Sequence, residues 1–151
     1  MIIEIDQSGK IEATSKHTVI AFSNGKQCSV LITGKEKQLL EKYFRNQNKR
    51  KMFTFLTFTA LIFLLIYRDL KKIDKIIIDQ EYFGHEDILK NLLLQLIRNY
   101  SDDIHSNFIS FQLIGKKSGA HQYALKAYQN KKADIIVSSS EIIEILELLQ
   151  K

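Results

Sequence analysis

Residues 17–33 read HTVIAFSNGKQCSVLIT. Two β-rich runs, Thr18–Phe22 and Cys28–Thr33, flank Ser23-Asn24-Gly25-Lys26. Asn-Gly is a strong hairpin signal, because both residues tolerate positive φ. The stretch therefore predicts two antiparallel strands joined by a tight turn. Ahead of it lies IIEIDQSGKIE, residues 2–12, an apolar run broken at Asp-Gln-Ser-Gly. MIIEI and KIEAT flank that break, so the first 33 residues read as three strands, mostly antiparallel.

After residue 33 the period changes. KEKQLLEKYFRNQ carries Leu39, Leu40, Tyr43 and Phe44 at helical spacing, with charges between them. NQNKRK interrupts it, and an apolar run follows from Met52 to Tyr67. KIIID, Lys75 to Asp79, has three successive isoleucines, which predicts a central strand covered on both faces. GHEDILKNLLLQLIRNY is an amphipathic helix with Glu86 and Asp87 in its first turn. NFISFQLI predicts another strand. SGAHQYALKAYQNKK predicts a shorter helix, with Ala120, Ala124 and Ala127 forming a small-residue face. ADIIVSSSEIIEILELLQK gives a short strand and a last helix, which Ser138 and Glu141 open as a capping box.

The order is three strands, two helices, then strand, helix, strand, helix, short strand, helix. With no repeat, linker or low-complexity segment, residues 1–151 read as one α/β domain: a mixed sheet with helices on both faces. The single cysteine, Cys28, excludes an internal disulfide framework and a cysteine-based zinc cluster, in keeping with a reducing cytoplasm. Residues 1–30 show no basic-then-apolar order, so no leader is expected there. The run 52–67 has 16 residues against the roughly 20 a spanning helix needs. A buried core helix is the expectation, with a membrane surface or a partner interface as the alternatives.

That element order resembles the ribonuclease H-like fold, shared by ribonuclease H, retroviral integrase, the Holliday-junction resolvases and the Piwi domain. There too, three antiparallel strands come first, followed by a helix and then strand, helix, strand, helix. The extra helix at Glu36–Asn46 is a departure. IIEIDQSGKIE is also similar to the opening of one branch of that superfamily, which begins Ile-Asp-Glu-Ser-Gly; here Gln7 replaces the Glu.

The resemblance implies a carboxylate metal centre. Asp6 would be the first-strand ligand. Asp79 would be the acid at the end of the fourth strand, with Glu81 two residues on. His121, in GAHQYA, would be the ligand from the late helix. Ribonuclease H also carries a glutamate on its first helix, but residues 52–67 hold no acid. Clustered carboxylates suit Mg2+ or Mn2+, and His121 would favour Mn2+. Each residue has a plain structural alternative: Asp6 as a turn former, Asp79 as a strand end, Glu81 as a surface acid, His121 as a packed histidine. Oxygens of Asp6 and Asp79 more than about 8 Å apart could not share a two-metal centre.

Other motifs fail. IGKKSG lacks the first glycine of a phosphate-binding loop, since position 110 is serine, and GHEDIL lacks the second histidine of a zinc-protease helix. Twenty-two basic against 17 acidic residues leave a net charge of +5, which favours an anionic partner. Lys116 and Lys117 precede the His121 helix and Lys131 and Lys132 follow it, as candidate phosphate contacts. Aromatics are not interleaved with these clusters, so no stacking platform is indicated. The functional expectation is a divalent-metal-dependent nuclease or nucleic-acid-processing domain. The alternative is an inactive domain of the same fold that binds a protein or membrane through helix 52–67.

Overall fold

The computed structural model describes residues 1–150. Its strands are β1 (Ile2–Ser8), β2 (Thr18–Asn24), β3 (Lys26–Ile32), β4 (Lys75–Asp79), β5 (Ile109–Gln112) and β6 (Ile135–Val137). Its helices are α1 (Gly34–Asn46), α2 (Phe53–Ile66), α3 (Glu86–Ile97), α4 (Gly119–Asn130) and α5 (Ser139–Leu146). All six strands join one mixed sheet in the order β5-β4-β1-β2-β3-β6. β1, β2 and β3 pair antiparallel, while β4, β5 and β6 each pair parallel to a neighbour.

The hairpin forms where Asn-Gly predicts it. Gly25 lies at φ +72°, a conformation that the missing side chain makes inexpensive, and Asn24 pairs with Lys26 across the turn. KIEAT is not a strand. Residues 10–16 form turns in which Ala13 N–H donates to Lys10 O and Lys16 N–H to Ala13 O. β1 instead runs on through Asp6 and Gln7 to Ser8, opposite Val19 of β2. Ser138 and Glu141 make the reciprocal capping box at the start of α5.

The period-two pattern of the strands sorts side chains between two layers. Ile3, Ile5, Ile20, Phe22, Ile76 and Ile78 pack into the main core under α1, α2, α3 and α5. Val19, Ala21 and Leu31 face the other way, against Ala124 and Ala127 of α4. The predicted small-residue face is therefore what seats α4 on β1 and β2. α4 does not reach over β4, so Ile77 is only half-buried where the isoleucine run predicted full cover.

α2 is the centre of the main core. Phe58, Leu61, Ile62, Phe63, Leu65 and Ile66 are all at most 2% exposed. The helical stretch Arg50–Lys72 is long and apolar enough to cross a membrane, yet 67% of its apolar window is buried inside the fold. Burial against the sheet and α3 explains its composition.

One charged residue lies wholly inside. Lys37 of α1 is fully buried, and its Nζ donates to Lys10 O, Ala13 O and Thr18 Oγ1 at 3.0, 2.9 and 2.9 Å. Three acceptors match the three N–H bonds of an ammonium. Burial works against the charge and pulls the pKa down to about 8. The contacts pin the loop between β1 and β2 to α1. Lys37→Met would leave these acceptors unpaired, so urea unfolding should show a loss of roughly 2–3 kcal/mol. An unchanged midpoint would deny Lys37 this anchoring role.

Candidate metal centre

Parallel pairing of β1 with β4 builds the site. The register runs Ile2↔Lys75, Ile3↔Ile76, Glu4↔Ile77 and Ile5↔Ile78. One residue further on, the same register sets Asp6 beside Asp79. Since Ile5 and Ile78 both enter the main core, Asp6 and Asp79 both project toward the α4 side. The strings Ile5-Asp6-Gln7 and Ile78-Asp79-Gln80 thus lie side by side.

Glu81 completes the group. Asp6, Asp79 and Glu81 each offer a carboxylate oxygen, and these oxygens all lie within 4.8 Å of one another. Asp6 is buried at 4% exposure, Asp79 is half-buried and Glu81 reaches solvent. β4 ends at Asp79, and Glu81 N–H turns back to donate to Asp79 O at 2.9 Å. That turn, rather than a continued strand, brings Glu81 to the cluster. It also supplies a third carboxylate where α2 has none: α2 is filled with core residues, and the acid comes from the loop after β4.

The supporting bonds are specific. Asp6 Oδ1 accepts Gln7 N–H at 2.8 Å, and its Oδ2 lies 2.7 Å from His121 Nδ1. Asp79 Oδ1 accepts Ile114 N–H at 2.8 Å. His121 stands in the first turn of α4, whose N-cap Ser118 donates its hydroxyl to Glu4 at 3.1 Å. His121 thus reaches the cluster through Asp6, one hydrogen bond behind the three clustered carboxylates. Asp6 is a strand residue two positions before the end of β1, not a turn former.

Three carboxylates this close repel one another. Burial pushes the Asp6 pKa up, the bonds from Gln7 and His121 oppose that, and Asp79 adds to the rise. Burial likewise pushes Glu81 up, helped by Asp79 and Asp6, with Lys10 opposing. Excess negative charge held on a rigid strand pair, in oxygen donors with spare lone pairs, fits a hard divalent cation.

The lysines divide. Lys116 and Lys117 lie on the loop between Ile114, whose N–H binds Asp79, and α4. Lys131 and Lys132 lie past the far end of α4, a helix of 12 residues and so about 18 Å long. The structure does not bring the two pairs together. The sequence reading missed the Tyr82–Gln7 contact, in which Gln7 Nε2 reaches Tyr82 Oη at 3.3 Å while the Tyr82 ring packs edge-on against Phe55 and Phe58. Gln7 carried a signal, as a polar residue at a core-facing position of an alternating strand. No family model, curated protein or solved structure matches the chain.

The raised Glu81 pKa has a stability consequence with a definite sign. A carboxyl whose folded pKa exceeds its unfolded one favours folding below the unfolded pKa, and that contribution is lost as pH rises through the folded value. At pH 7 the ionised Glu81 therefore costs metal-free stability. Glu81→Gln should raise the melting temperature at pH 7 in EDTA by about 2 °C. The gain should vanish as pH falls to the ordinary glutamate range near 4.5. Calorimetry at both pH values checks this; a lower melting temperature at pH 7 would contradict it.

Proposed function

We propose that the chain is a divalent-metal-dependent nuclease of ribonuclease H-like architecture, hydrolysing phosphodiester bonds at the Asp6–Asp79–Glu81 cluster. The observation that carries this reading is the meeting of those three carboxylates within 4.8 Å at the end of a parallel strand pair. The element order supports it: an antiparallel β1-β2-β3 opening, then β4, α3, β5 and α4. α1 and the edge strand β6 are additions to the order that the resemblance implied.

Asp6, Asp79 and Glu81 would hold Mg2+ or Mn2+, which in such centres activates water and offsets the charge on the leaving oxygen. The chain's own groups prepare the place. His121 holds Asp6 Oδ2, and Gln7 N–H holds Oδ1, so the deepest carboxylate is fixed in orientation. Ile114 N–H holds one oxygen of Asp79 and leaves the other free of protein donors among the described hydrogen bonds. Glu81 is the carboxylate open to solvent. Lys116 and Lys117 place positive charge on the adjoining loop, where a phosphate backbone could run.

The purified chain with MnCl2 or MgCl2 should cleave DNA or RNA. Asp6→Asn and Asp79→Asn should each bring that activity to background while circular dichroism shows the fold retained. No cleavage by the wild type, or equal cleavage by the variants, would remove the enzymatic reading.

A further inference from the structure

The two most exposed large apolar side chains of the described residues follow the ends of β4 and β5, the strand ends that lead from the cluster. Leu113 is 74% exposed and Phe83 is 65% exposed. Phe83 follows Glu81 by two residues, and Leu113 directly follows β5 and precedes the Ile114 that binds Asp79. They leave neighbouring strand ends, since Asp79 pairs with Gln112 and Gln80 N–H donates to Gln112 O.

Neither side chain is a loose loop residue. On one side of Phe83, Tyr82 is held by Gln7 and by the rings of Phe55 and Phe58. On the other, Gly84 adopts φ +86° and donates its N–H to the Glu86 carboxylate at 3.0 and 3.1 Å. His85 N–H closes the turn on Tyr82 O at 3.1 Å, and the His85 ring lies 4.6 Å from that of Phe55. Leu113 is bracketed in the same way, by Gln112 O bound to Gln80 and by Ile114 N–H bound to Asp79. Each apolar side chain is held out by anchored neighbours. Pre-ordered aromatic surface of this kind loses little conformational entropy when a flat ligand lands on it.

Phosphate chemistry next door narrows the ligand. Lys116 and Lys117 lie on the segment that begins at Leu113 and runs through Ile114, whose N–H binds Asp79. No local pattern signals this, because Phe83 is more than thirty positions from Lys116 and only the β4–β5 pairing brings their segments together. Bases paired in a duplex have their faces stacked on one another, whereas unpaired bases offer a free face to an aromatic ring.

We propose that Phe83 is a stacking platform for an unpaired nucleobase next to the bond being cut, which makes the substrate a single strand or an unpaired end rather than continuous duplex. The inference rests on the phosphodiester reading above and adds the strandedness of its substrate.

Fluorescence anisotropy with labelled oligonucleotides of about ten nucleotides, single-stranded or annealed to the complement, tests it in CaCl2. Wild type should prefer the single strand. Phe83→Ala should weaken that affinity about tenfold, Phe83→Leu nearly as much, and Phe83→Trp should retain it. Mn2+ binding by calorimetry should be the same in all four proteins. Preference for duplex, absence of oligonucleotide binding, or equal affinity in Phe83→Ala would each overturn the platform. A self-association abolished by Phe83→Ala, without oligonucleotide affinity, would assign the patch to a second copy of the chain and overturn it as well. Failure of the nuclease reading shows separately: Phe83-dependent single-strand binding without metal-dependent cleavage would leave the platform standing and remove the hydrolysis. Asp6-dependent cleavage indifferent to Phe83 would do the reverse.

Discussion

Everything at the candidate site depends on the parallel pairing of β1 and β4. The register Ile5↔Ile78 buries two isoleucines in the main core and by the same alternation turns Asp6 and Asp79 to the opposite face. A slip of one residue in either strand would turn that strand's acid into the apolar core, where an unpaired carboxylate is costly. The hydrophobic pattern that fixes the fold therefore also fixes the spacing of the acids. α4 enters as a second constraint. Ala120, Ala124 and Ala127 let it lie close to β1 and β2, and that approach brings His121 to 2.7 Å from Asp6.

Electrostatics then separate the site from the rest of the fold. Elsewhere the buried charged groups are matched. Lys37 has three acceptors, and Asp69 receives Lys26 Nζ at 2.6 Å. At the end of β1 and β4 three carboxylates face one another, with a single histidine at hydrogen-bond distance from one of them. Burial and mutual repulsion raise Asp6 and Glu81 together. A chain that keeps this much negative charge at the end of β1 and β4 gives up stability there, which is what a cation-binding site requires of its empty state.

Much of this was legible in the residues. Asn24-Gly25 marked the hairpin, the isoleucine run marked β4, the alanine spacing marked the packed face of α4, and Ser138 with Glu141 marked the start of α5. Periodic patterns and caps are local, so they survive in the sequence. KIEAT misled because short β-branched and apolar residues also occur in turns, and here Ile11 is buried inside a loop that Lys37 ties down. Asp6, Asp79, Glu81 and His121 could be named, but whether they meet depends on strand pairing across some seventy residues. Glu81 arrives by a turn rather than by strand alternation, and the Leu113–Lys117 segment reaches the end of β4 only through the β4–β5 contact. No residue spacing encodes either.

The central claim is that Asp6, Asp79 and Glu81 hold one divalent-cation centre. Anomalous diffraction from a crystal of the wild-type chain soaked in MnCl2 tests it most directly. The account predicts a manganese peak about 2.1 Å from oxygens of Asp6 and Asp79. A fully soaked crystal with its manganese bound elsewhere, and none between these carboxylates, would contradict it.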